Sequence, residues 1–293
     1  MTTEVVGALD IGGTHVTAGR VELASGSVNP RSRVRLSLPL PGDRSELLAT
    51  ITHAARSIAR PDIVRLGVAV PGPFDYRAGV SRISHKLQGL RGVDLRSQLR
   101  ATLGATDRGQ VRFLNDAEAF LLGEWHAGAA RGRARAIGVT LGTGLGAAFI
   151  ADGRIMRIGS GVPPGGALYE LVFRGAPVED TISRRGLLAL YGAPEDDVDV
   201  EQVAARASAG EASASAAFRE LGQALGEFLT PWLRAFEPSR LVVGGSIARS
   251  WKLLEAGLRG ALDGEWRGTV AVAEHLDDAP LLGAARHGVS ESP

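Results

Sequence analysis

The sequence predicts an α/β protein of two similar domains facing a cleft. Three observations carry this. Helical and strand periodicities alternate through both halves of the chain, the mark of the α/β class. A short unit of apolar strand, glycine-threonine turn and second strand occurs twice, at Gly12-Gly13-Thr14 and again at Gly142-Thr143-Gly144. The length of 293 residues suits two domains of ordinary size.

Taken in order, Val5 to Leu9 is an apolar strand that ends at Asp10, and a second extended stretch runs through Val21. Val34 to Leu40 is a third strand, closed by Pro41-Gly42. Asp43 and Glu46 form a capping box, and Leu47, Leu48, Ile51, Ala54, Ala55 and Ile58 follow at helical spacing. Ile63 to Val70 reads as a buried strand stopped by Pro71-Gly72-Pro73. Asp94 caps a short helix that carries Leu95 and Leu99. Val111 to Leu114 is a strand, and Asn115-Asp116 opens a helix to about Gly128. Ala136 to Leu141 and Leu145 to Ile150 repeat the opening hairpin, and Asp152-Gly153 turns into a third strand. The remainder is mostly helical, at Glu201 to Ser208, Ala212 to Phe236, Ala248 to Arg259 and Leu281 to His287. One buried strand, Leu241 to Val243, runs into Gly244-Gly245-Ser246. The domain break is expected at 114–116, giving 1–114 and 115–280, with the segment 281–293 able to pack back on the first.

Composition excludes several classes. Lys+Arg 33 against Asp+Glu 32 leaves a net charge of +1, which gives no field for nucleic acid or acidic lipid. Cysteine is absent, so disulfides, thiolate nucleophiles and cysteine-held metals are excluded. The first ten residues carry no basic region of a signal peptide, and no stretch approaches the roughly 18 apolar residues of a membrane helix. A cytoplasmic protein is expected. Glycine is abundant, 39 of 293, which demands tight turns, close backbone approaches, or both.

Four places carry candidate chemistry. In Asp10-Ile-Gly12-Gly13-Thr14 the glycines leave amide N–H groups open to phosphate oxygens, Thr14 adds a donor, and Asp10 can hold Mg²⁺ through water. The plain alternative is a hairpin turn. Gly142-Thr143-Gly144 offers the same chemistry and the same alternative. Gly244-Gly245-Ser246, a strand-to-helix turn, lets a flat base lie on the backbone, or is a packing turn. Asn115-Asp116 places a carboxylate at an exposed strand end, where it could take a proton from a hydroxyl; by position alone it reads as a helix cap.

Together these residues resemble the ROK family (repressors, open reading frames and sugar kinases) of the actin-like ATPase superfamily. Asp10 to Thr14 matches the family's first phosphate loop, and Val70-Pro-Gly-Pro-Phe-Asp75 its sugar-domain loop. Phe113-Leu-Asn-Asp-Ala-Glu118 matches the catalytic strand-helix, and Thr140-Leu-Gly-Thr-Gly-Leu-Gly146 the second phosphate loop. Leu241-Val-Val-Gly-Gly-Ser246 matches the adenosine loop, and Ala279-Pro-Leu-Leu-Gly-Ala-Ala285 the final helix. The motifs stand in the family's order and span nearly the whole chain.

The resemblance implies two actin-like (ribonuclease H-like) domains flanking an active-site cleft, and an ATP- and Mg²⁺-dependent hexose kinase. Asp116 would be the general base toward the sugar's 6-hydroxyl, and Asn115 would hold neighbouring hydroxyls. Gly72 would lie at the sugar. Gly12, Gly13, Thr14, Gly142, Thr143 and Gly144 would take the nucleotide phosphates, Gly244 and Gly245 the adenosine, and Asp10 the Mg²⁺. Closure would keep water from the phosphate. Homodimers are usual in the family.

Departures from the pattern also matter. Most members carry a Glu-x-Gly-His sugar motif and a cysteine-rich zinc loop. This chain has no cysteine and no histidine between 127 and 274, so no zinc site is expected. On the family's alignment Ala167 replaces a sugar-binding Glu, Glu170 replaces the His, and Glu179 is kept. Lys86 stands where many members have a sugar-facing Asn, and reads better as a solvated lysine. Glucose or a close analogue is the expected substrate. The alternatives are an amino sugar of the kanosamine type, held by Glu170 and Glu179, and a non-catalytic sugar sensor. Polyphosphate as donor would want a long basic groove, which the charge balance does not support. With the phosphate-loop strand beginning at Val5, the helix-turn-helix of a repressor is not expected.

Overall fold

The computed structural model describes residues 4–84, 87–103, 110–194, 197–262, 264 and 266–290. By proximity the chain divides into two compact units, Met1–Arg131 with Asp277–Pro293, and Gly132–Leu276.

The first unit opens with β1 (Val5–Ile11), β2 (His15–Glu22), β3 (Ser27–Val28), β4 (Val34–Ser37) and α1 (Arg44–Ile58). It continues through β5 (Arg65–Val70), β6 (Phe74–Asp75), β7 (Val80–Ser81), α2 (Leu95–Thr102), β8 (Gln110–Asn115) and α3 (Asp116–Ala127). The sheet order is β3-β2-β1-β5-β8, with β4 also on β2. β2 is antiparallel to β1, and β1, β5 and β8 are parallel. The capping box of α1 forms in both directions, Asp43 to the Glu46 amide and Glu46 to the Asp43 amide. Such a cap contributes about 1 kcal/mol. Leu47, Ile51, Ala54, Ala55 and Ile58 then form the buried stripe that covers Leu9, Ile11, Leu66 and Val68 of the sheet.

The second unit has β9 (Arg135–Leu141), β10 (Leu145–Ala151), β11 (Arg154–Ile155), β12 (Val172–Phe173), β13 (Ala176–Pro177), α4 (Val178–Thr181) and α5 (Arg184–Tyr191). After these come α6 (Val200–Ser208), α7 (Ala212–Phe236), β14 (Arg240–Gly244), α8 (Trp251–Ala261) and β15 (Thr269–Val272). Its sheet order is β11-β10-β9-β14-β15. β10 is antiparallel to β9, while β9, β14 and β15 are parallel. The two sheets share one topology: an antiparallel hairpin on one side, parallel strands on the other. The hairpin duplication in the sequence is the visible part of it.

The last helix, α9 (Ala279–Gly288), belongs to the first unit. The break expected at 114–116 falls after Arg131, because α3 packs on α9 rather than with the strands that follow it in sequence. The helices touch backbone to backbone. A Cβ on Gly123 would lie 2.0 Å from the Ala279 carbonyl oxygen, and one on Gly283 would lie 1.8 Å from that of Ala119. On its other side α9 meets β5, where a Cβ on Gly67 would lie 1.8 Å from the Ala284 oxygen. In the second unit Gly222 and Gly257 bring α7 and α8 together in the same way, with Cβ positions 2.3 and 2.0 Å from Leu254 and Arg219 carbonyl oxygens. Part of the glycine surplus thus serves close backbone packing, and thirteen of the described glycines stand at positive φ. No described helix is long and apolar enough to cross a membrane.

Candidate active site

In each unit the parallel strands deliver the candidate residues to one edge. Asp10 of β1 pairs with Ala69 of β5, Ala69 with Leu114 of β8, and Val70 with Asn115. Asp10, the turn at Gly72 and the Asn115-Asp116 junction therefore leave the sheet together, at the carboxyl ends of its strands, where α/β folds bind ligands.

The junction settles which residue caps the helix. Asn115 does: its Oδ1 accepts from the Ala117 and Glu118 amides at 3.0 and 3.3 Å. Asp116, the first helical residue, also accepts from the Ala117 amide, at 3.0 Å. Asn115 Nδ2 donates to the Tyr76 hydroxyl at 3.3 Å, and that hydroxyl donates to the Val70 carbonyl at 3.3 Å. Tyr76 thus ties the loop after β5 to the strand-helix junction. It directly follows the Val70–Asp75 motif, so its position in the sequence was a signal that its residue type did not reinforce.

Asp10 and Asp116 are both half-buried carboxylates. Loss of water around Asp10 raises its pKa to about 7; the Asp116 charge pushes the same way, and Arg35 opposes it. Burial also raises Asp116, against the amide hydrogen bonds that favour its charge, and Glu118 adds to the rise. A carboxylate raised in this way is a better proton acceptor. The same pair fits a hard divalent cation, which would relieve the charge that burial penalises. Among the described residues no three acids or histidines converge to hold a metal. Asp10 is the residue here that could hold Mg²⁺ through water.

The first glycine turn is closed by Gly12 N–H donating to the His15 carbonyl at 2.8 Å. Gly13 sits at its tip, and Thr14 is exposed, its Oγ1 sharing a 2.9 Å hydrogen bond with His15 Nδ1. The second turn is closed by Gly142 N–H to the Gly144 carbonyl at 3.0 Å and pinned by Arg184 N–H to the Gly142 carbonyl at 2.7 Å. Thr143 is exposed at its tip. Gly244 pairs with Thr140, so the third turn lies beside the second. Gly245 has φ +85°, and a Cβ there would lie 2.3 Å from the Leu141 carbonyl oxygen. Both the conformation and the approach require glycine. Gly245→Ala is expected to cost about 1–3 kcal/mol, read as a lowered melting temperature; an unchanged melting curve would contradict this packing.

Glu179 and Glu170 differ in placement. The Glu179 carboxylate lies on the second turn, with Leu145 N–H donating to its Oε1 at 2.8 Å. This changes the physics of a side chain at Gly144, which would first meet that carboxylate, 2.1 Å from its Cβ, rather than a phosphate. Glu170 ends a short helical turn, Leu168–Glu170, is exposed, and among the described residues joins none of the hydrogen bonds that tie the loops together. Gly72 is half-buried, and its Cβ position has room, with Tyr76 Oη at 3.7 Å. Lys86 lies outside the described residues.

Duplicated ribonuclease H-like units, each with a glycine turn after its first strand, and half-buried acids at the strand ends of the first, define the actin-like ATPase class. The chain belongs to the ROK family, whose model matches residues 6–287. It is 26% identical to the glucokinase of Thermotoga maritima, over 94% of this chain and 95% of that one. It is 28% identical to the N-acetylmannosamine kinase of Citrobacter koseri, over 95% and 96%. Among solved structures it is similar to a ROK hexokinase from Thermus thermophilus, with TM-score 0.76, 27% identity and 97% of each chain covered. A ROK glucokinase from Streptomyces griseus, solved with glucose and AMPPNP, aligns with TM-score 0.78 and 24% identity over 96% and 98%. Family and relatives make the chain an ATP-dependent sugar kinase.

Proposed function

We propose that the protein transfers the terminal phosphoryl group of ATP to the 6-hydroxyl of a hexose, glucose or a close analogue, with Asp116 as general base. The observation that carries this is the Asn115-Asp116 junction. Asn115 caps the helix, so Asp116 is held as a half-buried carboxylate of raised proton affinity. The hydroxyl proton passes to Asp116, the sugar oxygen forms the new bond to phosphorus, and the bond to the ADP oxygen breaks. Little covalent work falls to the protein, and the rest is positioning. Asn115 and Gly72 lie on the sugar side of this reading, with Glu179 and Glu170 as further hydroxyl acceptors. The turns Gly12-Gly13-Thr14 and Gly142-Thr143-Gly144 supply amide and hydroxyl donors to phosphate, and Gly244-Gly245 a flat surface for adenosine. Mg²⁺ near Asp10 would offset phosphate charge when bound.

The named relatives act on more than one sugar, so the substrate is decided by measurement. The test compares kcat/KM for glucose, mannose, N-acetylmannosamine, glucosamine and 3-amino-3-deoxyglucose in the wild type and in Glu170→Gln. Glucose is expected to lead in both, because an exposed Glu170 has water as its partner and discriminates weakly. An amino sugar that leads in the wild type and loses its lead in Glu170→Gln would replace glucose with an amine substrate.

A further inference from the structure

We propose that the Glu179 carboxylate is a resident anion on the second glycine turn, which nucleotide phosphate must displace in order to bind; the inference rests on reading Gly142-Thr143-Gly144 as a phosphate loop. Two observations meet here. Leu145 N–H, the first amide after the turn, donates to Glu179 Oε1 at 2.8 Å. The same oxygen lies 2.1 Å from the Cβ position of Gly144. The space that the missing side chain leaves open is filled by an acid from the chain itself.

A carboxylate oxygen and a phosphoryl oxygen ask the same of a backbone amide, an N–H aimed at negative charge. Both cannot hold one amide, and at close range their like charges repel. The carboxylate is also free to leave. Among the described residues its one hydrogen bond is to Leu145. The neighbouring bonds fix the backbone or other groups: Ser183 Oγ donates to the Glu179 carbonyl, and Arg185 pairs with Asp180 at 2.7 Å. Glu179 is half-buried at the start of α4, and its flexible side chain can swing without unfolding that turn.

This arrangement couples the two substrates. A sugar whose hydroxyls engage Glu179 draws the carboxylate off the turn and releases the Leu145 amide to phosphate. Sugar then tightens nucleotide binding, and by reciprocity nucleotide tightens sugar binding. Without sugar, the resident anion keeps ATP from its full set of donors and so limits its loss to water.

A carboxylate that merely braces the turn makes the opposite prediction, since its removal would loosen the loop and weaken nucleotide binding. The experiment is calorimetric titration of Mg²⁺-AMPPNP into wild type, Glu179→Ala and Glu179→Gln, each with and without saturating glucose. Glucose is expected to tighten AMPPNP about fivefold or more in the wild type. Both variants are expected to bind AMPPNP about fivefold or more tightly than wild type without sugar, and to lose most of the glucose effect. Sugar-free ATP hydrolysis should rise in both. Wild-type or weaker sugar-free affinity in variants with intact melting curves would overturn the proposal. Glu179→Gln keeps an acceptor for Leu145 and loses only the charge, so it decides alone if alanine does not fold. Failure of the kinase reading is separate: it shows as wild type that binds no AMPPNP even with sugar, or that phosphorylates none.

Discussion

Asp116→Asn is expected to lower kcat by about two orders of magnitude or more while AMPPNP affinity stays near that of the wild type. Asparagine keeps the shape and an oxygen for the Ala117 amide, and Asn115 still caps α3, so the local fold should survive. Only the proton acceptor is lost. Because burial raises the Asp116 pKa, the acid limb of the wild-type kcat/KM profile should lie above the ordinary carboxylate range. Steady-state kinetics with a parallel binding titration separate the roles. A near-native kcat would reduce Asp116 to a structural residue of the helix start.

Asp10→Asn is expected to make a poorer enzyme and a more stable protein. The activity loss, about tenfold or more, follows from losing the carboxylate that would hold Mg²⁺ beside the phosphates. The stability gain follows from protonation. Burial pushes the Asp10 pKa up to about 7 in the folded protein, from 3.8 for an ordinary aspartate. Between those values the native state keeps a proton that the unfolded chain has released, so stability falls as pH rises through this window and levels off above it. The loss is of the order of a few kcal/mol. Asparagine carries no such cost. Thermal melts without Mg²⁺ or nucleotide should show Asp10→Asn above the wild type at pH 8, with the difference fading toward pH 4. Equal melting temperatures at pH 8 would show that the carboxylate is not held against its charge.

The sequence made much of this legible where signals are local. The Asp43–Glu46 capping box, the apolar stripe of α1, the two glycine hairpins and the strand running into Gly244 are all encoded within short windows, and each forms as its pattern implies. The helix expected from Ala248 forms as a 3-10 turn, Ile247–Ser250, followed by α8 from Trp251. The short strand β15 carries no such signal, since Thr269 to Val272 is too brief for a period and is fixed by pairing with β14.

What was hidden depends on contacts between distant segments. α3 is buried from Ala117 to Glu124 with no polar face to mark it as a surface helix. Its partner, α9, lies beyond the whole second unit, and the fit rests on Gly123 and Gly283 meeting carbonyl oxygens. Nothing local separates these glycines from turn glycines, so the sequence points to a break at 114–116 while the compact units divide after Arg131. The same holds for the site. Asn115 and Asp116 could be named from their junction, but the Tyr76 bridge and the seat of Glu179 on Leu145 arise only when loops meet.

Phosphoryl transfer from ATP to the 6-oxygen of a hexose can be watched directly. Phosphorus NMR of wild-type enzyme with glucose and Mg²⁺-ATP follows nucleotide and product in one sample. A sugar 6-phosphate resonance, coupled to the C6 protons, is expected to grow in step with ADP. ADP accumulating with free phosphate and no sugar phosphate, or a phosphate coupled to a different sugar carbon, would contradict it.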